Sequence, residues 1–462
     1  MQHLLALLLA SSVLAASSWP QFRGPNCQGI AESDKPPIEF SPESNLVWKV
    51  AVPSGVSSPC VAGDRVFITA LENDKLVTLA LDRRGGKVLW RQVAPAEKIE
   101  ETHAQGSPAS ATPATDGTRV YAYFASYGLL AYDLAGREQW RKPLPVGFVI
   151  NGSGTSPVLI NGRLILNCDQ QDEKSFLIAV DPRTGKTIWE TPRPAFVSSY
   201  TSPVLWGEDI VVSGSLRVVG YGSKDGKERW SAGGLEAISV CPTPVLGDGR
   251  LFVMSRSFGG SKLPIFSEML AKGNKDGDNR MSRDEAPSYL RSEGGFNATD
   301  RNKDGFITEE EWNEMTSLIH KGEHGIFALR APGAGDITET HVVWKNKRGI
   351  GVVASPLFYK DRVYAVQDGG RLTAFSPKTG DLLFEQERIG SDGEYYASPI
   401  AANGHIYLCS TRGTVTVVSA TDKLEVKARN NLGERIQATP AIADNKLFVR
   451  SASHLWAFGA NK

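Results

Sequence analysis

Residues 156–189 read SPVLINGRLILNCDQQDEKSFLIAVDPRTGKTIW, and this stretch decides the fold. Asn161-Gly162 is a two-residue hairpin turn between apolar runs, because both residues accept the positive φ that such a turn demands. A second hairpin follows, FLIAV turning through DPRTGK into TIW, so the stretch is predicted to hold four short strands. Its opening, a small hydroxyl residue, Pro and an apolar run, recurs eight times: Ser58-Pro59, Thr112-Pro113, Ser156-Pro157, Ser202-Pro203, Thr243-Pro244, Ser355-Pro356, Ser398-Pro399 and Thr439-Pro440. A period of four strands kept over eight copies describes a β-propeller, in which each small sheet buries its faces against its neighbours. A stacked pair of sandwiches would not hold one register that long.

The ends agree with a closed ring. The last unit supplies three strands with no fourth, while LVWKV at Leu46 to Val50 is a lone strand at the other end of the repeat region. Pairing the two removes the open sheet edge. The expected architecture is an all-β, eight-bladed propeller closed by an N-terminal strand.

The fullest second turn, AVDPRTGKTIW at Ala179 to Trp189, resembles the tryptophan-docking motif of the PQQ-like (quinoprotein-type) propeller repeat family. That family includes quinoprotein alcohol dehydrogenases and the non-catalytic BamB-type outer-membrane assembly proteins, and the propeller here is BamB-like. The matching docking positions are Trp48, Trp90, Trp140, Trp189, Trp230 and Trp344, with Phe384 and Val426 as weaker substitutes. These side chains are expected to pack between blades, not to stack on a cofactor. WPQFRGP at Trp19 to Pro25 resembles the N-terminal arm of exported bacterial members.

One interval breaks the period. Successive anchor prolines lie 41 to 54 residues apart, except Pro244 and Pro356, which are 112 apart. The excess is placed at 262–323, an insertion in blade five between propeller segments 45–261 and 324–462. It contains NKDGDNRMSRDE (274–285) and DRNKDGFITEEE (300–311). Both match the twelve-residue EF-hand loop, which places oxygen ligands at positions 1, 3, 5, 7, 9 and 12 around a hard cation. The second loop supplies Asp300, Asn302, Asp304, the Phe306 carbonyl, Thr308 and Glu311, with Gly305 at the sharp turn. The first supplies Asn274, Asp276, Asp278, the Arg280 carbonyl, Ser282 and Glu285. It departs twice, at Asn274 for Asp and at Asn279 for Gly, and Asn279 is expected to take the positive φ in glycine's place. The flanking LPIFSEMLA and EEEWNEMTSLI carry apolar residues at helical spacing. Two calcium sites are therefore expected in a small α-helical insertion, acting as a structural clip. Magnesium suits such loops less, because they offer seven oxygens with a bidentate Glu.

The 51 basic and 51 acidic residues cancel, which removes the electrostatic case for nucleic acid or an anionic membrane as partner. The N-terminal MQHLLALLLASSVLAAS is an apolar run ending in small residues, with Val13 and Ala15 spaced as signal peptidase reads them. A leader at 1–17 and an arm at 18–44 are expected, in an exported protein, periplasmic or extracellular. No segment is long enough to span a membrane. The five cysteines (Cys27, Cys60, Cys168, Cys241, Cys409) form no CxxC, and Cys168 and Cys409 read as small buried hydrophobes.

No catalytic residues are assigned. The chain has no GxSxG, HExxH or P-loop, and His320 and His324, four apart, have no third ligand. It also lacks the adjacent Cys-Cys that commonly covers PQQ in quinoprotein dehydrogenases. The expected function is a non-catalytic, calcium-binding module, monomeric, holding a protein or glycan partner on one propeller face. A PQQ-dependent alcohol or sugar dehydrogenase is the alternative, with the cofactor-binding residues unassigned.

Overall fold

The computed structural model describes residues 17–460 apart from 145–146, 148, 150, 171–173, 197–198, 258–262, 288–289, 292–295 and 297–298, and leaves the side chains of 318–321 undescribed. The expected leader lies outside the described residues, save for Ser17. Eight sheets of at least four strands follow one another along the chain. In the eighth, Leu46–Ala51 pairs antiparallel with His454–Gly459, so the ring closes as the repeat count requires.

Burial follows the layering. In blade three, Arg163–Cys168 and Phe176–Val180 are buried almost throughout, whereas the outermost Thr187–Pro192 buries only alternate positions. Middle strands have a neighbouring blade on both faces and therefore read as continuous apolar runs. The outer strand faces water on one side and alternates.

The expected tryptophan docking is present at five junctions. The indole N–H of Trp48, Trp90, Trp140, Trp189 and Trp344 donates to the carbonyl of Arg83, Leu134, Pro182, Ser223 and Pro377 respectively, each in the next blade's second turn. Each ring lies flat on a left-handed glycine of that turn. A Cβ on Gly86, Gly136 or Gly185 would stand 2.7 Å from the ring, and one on Gly380 would stand 2.5 Å from Trp344. Only glycine gives both the φ, +76° at Gly380, and the clearance. Gly380→Ala is therefore expected to cost about 1–3 kcal/mol through overpacking and φ strain. Urea denaturation would measure it, and a change below about 0.5 kcal/mol, the range of neutral surface substitutions, would refute the docking account.

Trp230 departs from the expectation. Its indole N–H donates to Asp209 of its own blade at 2.9 Å, and the ring meets Trp206 edge-on at 5.8 Å. The cause lies in blade five, whose second turn is APGAGDITETH (331–341) without the short Asp-to-Gly turn. Gly335–Asp336 instead adds a parallel fifth strand against Trp230 and Ser231, covering the edge over which the indole would reach.

The insertion does not disturb the ring. Arg250–Ser255 pairs directly with Gly325–Arg330, so the ladder of blade five is continuous across it. Helix α1 (Phe266–Gly273) and helix α2 (Glu309–Lys321) flank the two loops. The subdomain has a core of its own, including Phe266, Met269, Met281, Ile307 and Trp312. Its return neck is tied to blade four, where Glu323 N donates to Gly234 O and Glu236 N to Glu323 O. His324 lies 3.2 Å from the buried Glu236 carboxylate, while the side chain of His320 is outside the description. All five cysteines are unpaired, four of them fully buried.

Candidate functional site

The eight Ser/Thr-Pro anchors encircle the axis. Seven consecutive hydrogen bonds link them: the N–H of Ser58 donates to the Thr112 hydroxyl, Thr112 to Ser156, and so on through Ser202, Thr243, Ser355 and Ser398 to Thr439, at 2.9–3.2 Å. This explains why the position needs a short hydroxyl. The oxygen must reach its neighbour's backbone while the following proline needs no donor partner.

Three residues beyond the anchor, the innermost strand presents an N–H with no neighbouring strand to receive it. The N-terminal arm receives it in six blades. Val61 N donates to Trp19 O, Thr115 N to Pro20 O and Ala401 N to Gly29 O. Leu159, Leu205 and Leu246 donate to the side-chain oxygens of Gln21, Asn26 and Gln28. In blade six, Arg23 Nη2 donates to Pro356 O at 2.8 Å. In blade eight, Asp34 and Ser17 accept from Asn445 N and Asp444 N. The arm therefore touches every blade and closes one end of the axis. Among the described residues fully buried Arg23 has no acidic partner, and burial lowers its pKa to about 10.

Two residues before each anchor, on the same side of an extended chain, stand Val56, Ser110, Gly154, Tyr200, Cys241, Val353, Tyr396 and Gln437. All eight line one cavity of about 190 Å³, together with seven of the anchors (all but Ser202), Gln105, Asn151 and, at the closed end, Phe22 of the arm. Asn151 Nδ2 donates to Tyr200 Oη at 3.1 Å, and Gln437 Nε2 to Gln105 O at 3.3 Å. None of the described lining residues carries a charge. Two acids stand behind this wall: Glu100, behind the Gly152–Gly154 rim, whose pKa burial raises to about 7 against one N–H from Ser153, and Glu394, which accepts from the Tyr396 phenol and lies 4.0 Å from Arg435.

This lining does not fit PQQ. A tricarboxylate quinone needs cationic or metal partners for its carboxylates and an acid–base group beside its carbonyl, and burial of such charges without partners costs several kcal/mol each. The cavity offers amides, hydroxyls and phenol rings.

The twelve expected metal-ligating residues lie together on the insertion. Met281 pairs with Ile307 and Ser282 with Phe306 as a two-stranded antiparallel sheet, which sets the two loops side by side. In the second loop, Asp300 Oδ2 accepts from Gly305 N, Asn302 Oδ1 from Asp304 N and Asp304 Oδ1 from Phe306 N, at 2.9–3.0 Å. Thr308 donates its N–H and hydroxyl to Glu311 Oε2, while Glu311 Oε1 accepts from Arg301 N. Burial raises the Glu311 pKa, but these donors outweigh it and the net shift is downward. The first loop repeats the arrangement, Ser282 and Lys275 N holding Glu285. The Ser282 hydroxyl, followed by the loop N–H groups, lowers the Glu285 pKa to about 2. Asp276 and Asp278 accept from the backbone within the loop, and the Asn274 oxygen accepts from Gly277 N at 2.7 Å. Arg280 stacks on Phe306, 4.0 Å above its ring. Asp300 is 4% exposed and its Oδ1 has no partner. Among the described residues, no three His, Cys, Asp or Glu side chains converge closely enough to hold a metal as they stand.

Asn279 corrects an expectation. It is not left-handed; Gly277, two positions earlier, carries φ +80°. The Asn274 amide also donates to Asp278 O, tightening the loop ahead of Asn279 so that position six has no sharp turn to make.

Comparison with known proteins gives one family and several structures. The family model for outer membrane protein assembly factor BamB matches residues 41–151, 76–258 and 334–460. BamB of Yersinia pestis is 22% identical over 325 residues, 61% of this chain and 79% of that protein. The crystal structure of BamB from Moraxella catarrhalis superposes with a TM-score of 0.56 at 12% identity, covering 90% of this chain and 97% of that one. Quinohemoprotein alcohol dehydrogenase from Comamonas testosteroni superposes at 0.55 and 12% identity, covering 96% of this chain and 81% of its own. At these identities the structural likeness speaks for the fold alone.

Proposed function

Because the chain belongs to the outer membrane protein assembly factor BamB family of PQQ-like propellers, we propose that it is an exported, non-catalytic binding or scaffolding module whose blade-five insertion is a calcium-binding EF-hand pair. The observation that carries the metal reading is the Met281–Ile307 sheet, which joins two loops whose terminal glutamates are already positioned by their own backbone N–H groups. Asp300, buried with one carboxylate oxygen unpartnered, supports it, since an uncompensated buried acid oxygen is costly without a cation. Each loop brings three carboxylates, and calcium, taking six to eight oxygens at flexible geometry, suits such a set.

Innermost strands run from the cavity mouth toward the arm, and second strands run back. The insertion leaves after Ser255 and returns at Gly325, at the mouth end of these paired strands, which supports reading it as an attachment to the cavity side of the ring. The neutral cavity supports a binding role for that face over redox chemistry. The relatives' designation as assembly factors supports a partner held there.

Titration calorimetry should show calcium uptake that disappears in the Glu285→Gln/Glu311→Gln double variant, with a higher melting temperature in calcium than in chelator. An intact protein that takes up no calcium would end the metal reading.

A further inference from the structure

We propose that the open end of the axis is a binding site for a neutral saccharide, which inserts the terminal ring of a glycan toward Phe22. The inference rests on the reading of the mouth face as a binding face and gives that face a ligand class.

Three features select the ligand. The first is the lack of charge. No described lining residue is charged, and Glu394 and Arg435 behind Tyr396 already face each other, so a carboxylate, phosphate, sulfate or ammonium entering here would lose its water without meeting an opposite charge in the wall. The second is the presence of polar groups that must be satisfied. Gln105, Asn151, Ser110 and Gln437 face the cavity, and each amide offers both donors and an acceptor. The anchor hydroxyls below them accept a backbone N–H and so keep their own protons to donate. A hydrocarbon would leave these groups buried and unpaired, at a cost that falls on every one of them. The third is two flat apolar surfaces, Tyr200 and Tyr396. Tyr200 rests on Gly154, where an added Cβ would stand 3.0 Å from its ring, so the absence of a side chain at Gly154 sets the position of the phenol. A sugar ring has apolar C–H faces for such phenols and an edge of hydroxyls, each donor and acceptor together, for the amides.

The arm decides between a glycan and a polypeptide. It makes the cavity blind, so only a chain end or a side group can enter. Peptide ends carry an ammonium or a carboxylate near neutral pH, and neither finds an opposite charge among the described lining residues. The non-reducing end of a neutral glycan carries only hydroxyls. A cavity of about 190 Å³ accommodates one sugar ring, so the remainder of the glycan would extend past the exposed Gln105 into solvent.

The test uses the whole calcium-loaded protein and saturation-transfer NMR with methyl glucoside, N-acetylglucosamine, maltose and chitobiose, set beside glucuronate and glucosamine. At least one neutral sugar is expected to bind, with the charged sugars at least about tenfold weaker. Asn151→Ala and Tyr396→Ala should each weaken binding about tenfold or more, a step of one decade in Kd, with the circular dichroism of the ring unchanged. The proposal is overturned if no neutral sugar binds the folded protein, if binding survives both variants, or if glucuronate binds equally. It is also overturned if an N-acetylated, C-amidated peptide competes as well as the best sugar. Calcium calorimetry on the same samples separates the two readings: calcium uptake without sugar binding removes the saccharide site alone, and sugar binding without calcium uptake removes the metal alone.

Discussion

Asp169→Ala is expected to lower the unfolding free energy by about 3–5 kcal/mol, the cost of leaving a buried charge without its partner. Asp169 and Arg193 are both inaccessible to solvent and meet in a bidentate pair at 2.8 and 2.9 Å. Arg193 also donates to the Tyr221 hydroxyl and lies 3.8 Å above the Phe196 ring, so it couples blade three to blade four. Burial alone would lower the Arg193 pKa, but Asp169 and then Tyr221 outweigh it and the net shift is upward. Arginine does not deprotonate in proteins, so the guanidinium stays charged when Asp169 is removed, and among the described residues no acid is shown to replace the carboxylate. Urea denaturation would measure the loss. Because two apolar residues of matching volume cost far less than one orphaned ion, Asp169→Leu with Arg193→Met should recover most of it. A single-variant loss below about 1 kcal/mol, the level of an exposed pair, would show that the pair is solvated and the inter-blade coupling is not electrostatic.

A chain beginning at Ile38, which keeps buried Phe40 and the closing strand, is expected not to reach a closed native ring. Six strand N–H groups capped by the arm, at about 1 kcal/mol each, and fully buried Trp19 at about 3–5 kcal/mol amount to roughly the whole stability of a domain. Loss of Arg23 returns part of this, since among the described residues its buried guanidinium is bonded only to the carbonyls of Pro356 and Pro399. Near-ultraviolet circular dichroism and limited proteolysis report the outcome. A cooperative transition within a few degrees of the intact protein would mean that the arm only covers a ring stable without it.

The repeat was legible because every blade states it locally. The Ser/Thr-Pro anchors, the hairpin turns and the docking tryptophans each need only neighbours along the chain or the adjacent blade, so a period could be counted. The cavity was not legible in the same way. Its wall takes one residue from each blade, Val56 to Gln437, and these positions share no residue type, since they need only fill a cavity and not hold a strand. The signal was nonetheless present: in an extended chain the residue two before each anchor shares its side, and reading that column would have found the wall. The arm was recognised as a family feature, but its role was hidden, because Gln21, Asn26 and Gln28 look like ordinary surface amides until the innermost strands exist for them to cap. Trp230 failed as a docking residue for a reason outside its own motif, the altered turn of blade five. In the loops, side-chain identities set the ligand pattern, yet Asn279 shows that φ depends on what the preceding residues have already bonded.

The arm and the closing strand lie at the same end of the chain, and that has a temporal consequence. Lys35 N bonds to Asn445, 410 positions later, and Trp48 is in register with Ala457. The residues synthesised first cannot settle until those synthesised last are in place. The intervening blades must accumulate as an open arc, with the amides of their innermost strands still wet. The entropy of bringing such distant segments together rises only logarithmically with the length between them, so the delay is set by sequence order more than by the size of the loop to be closed. Until the final hairpin forms, the early segment has no lasting partner, and the ring and its blind end come into being in the same step.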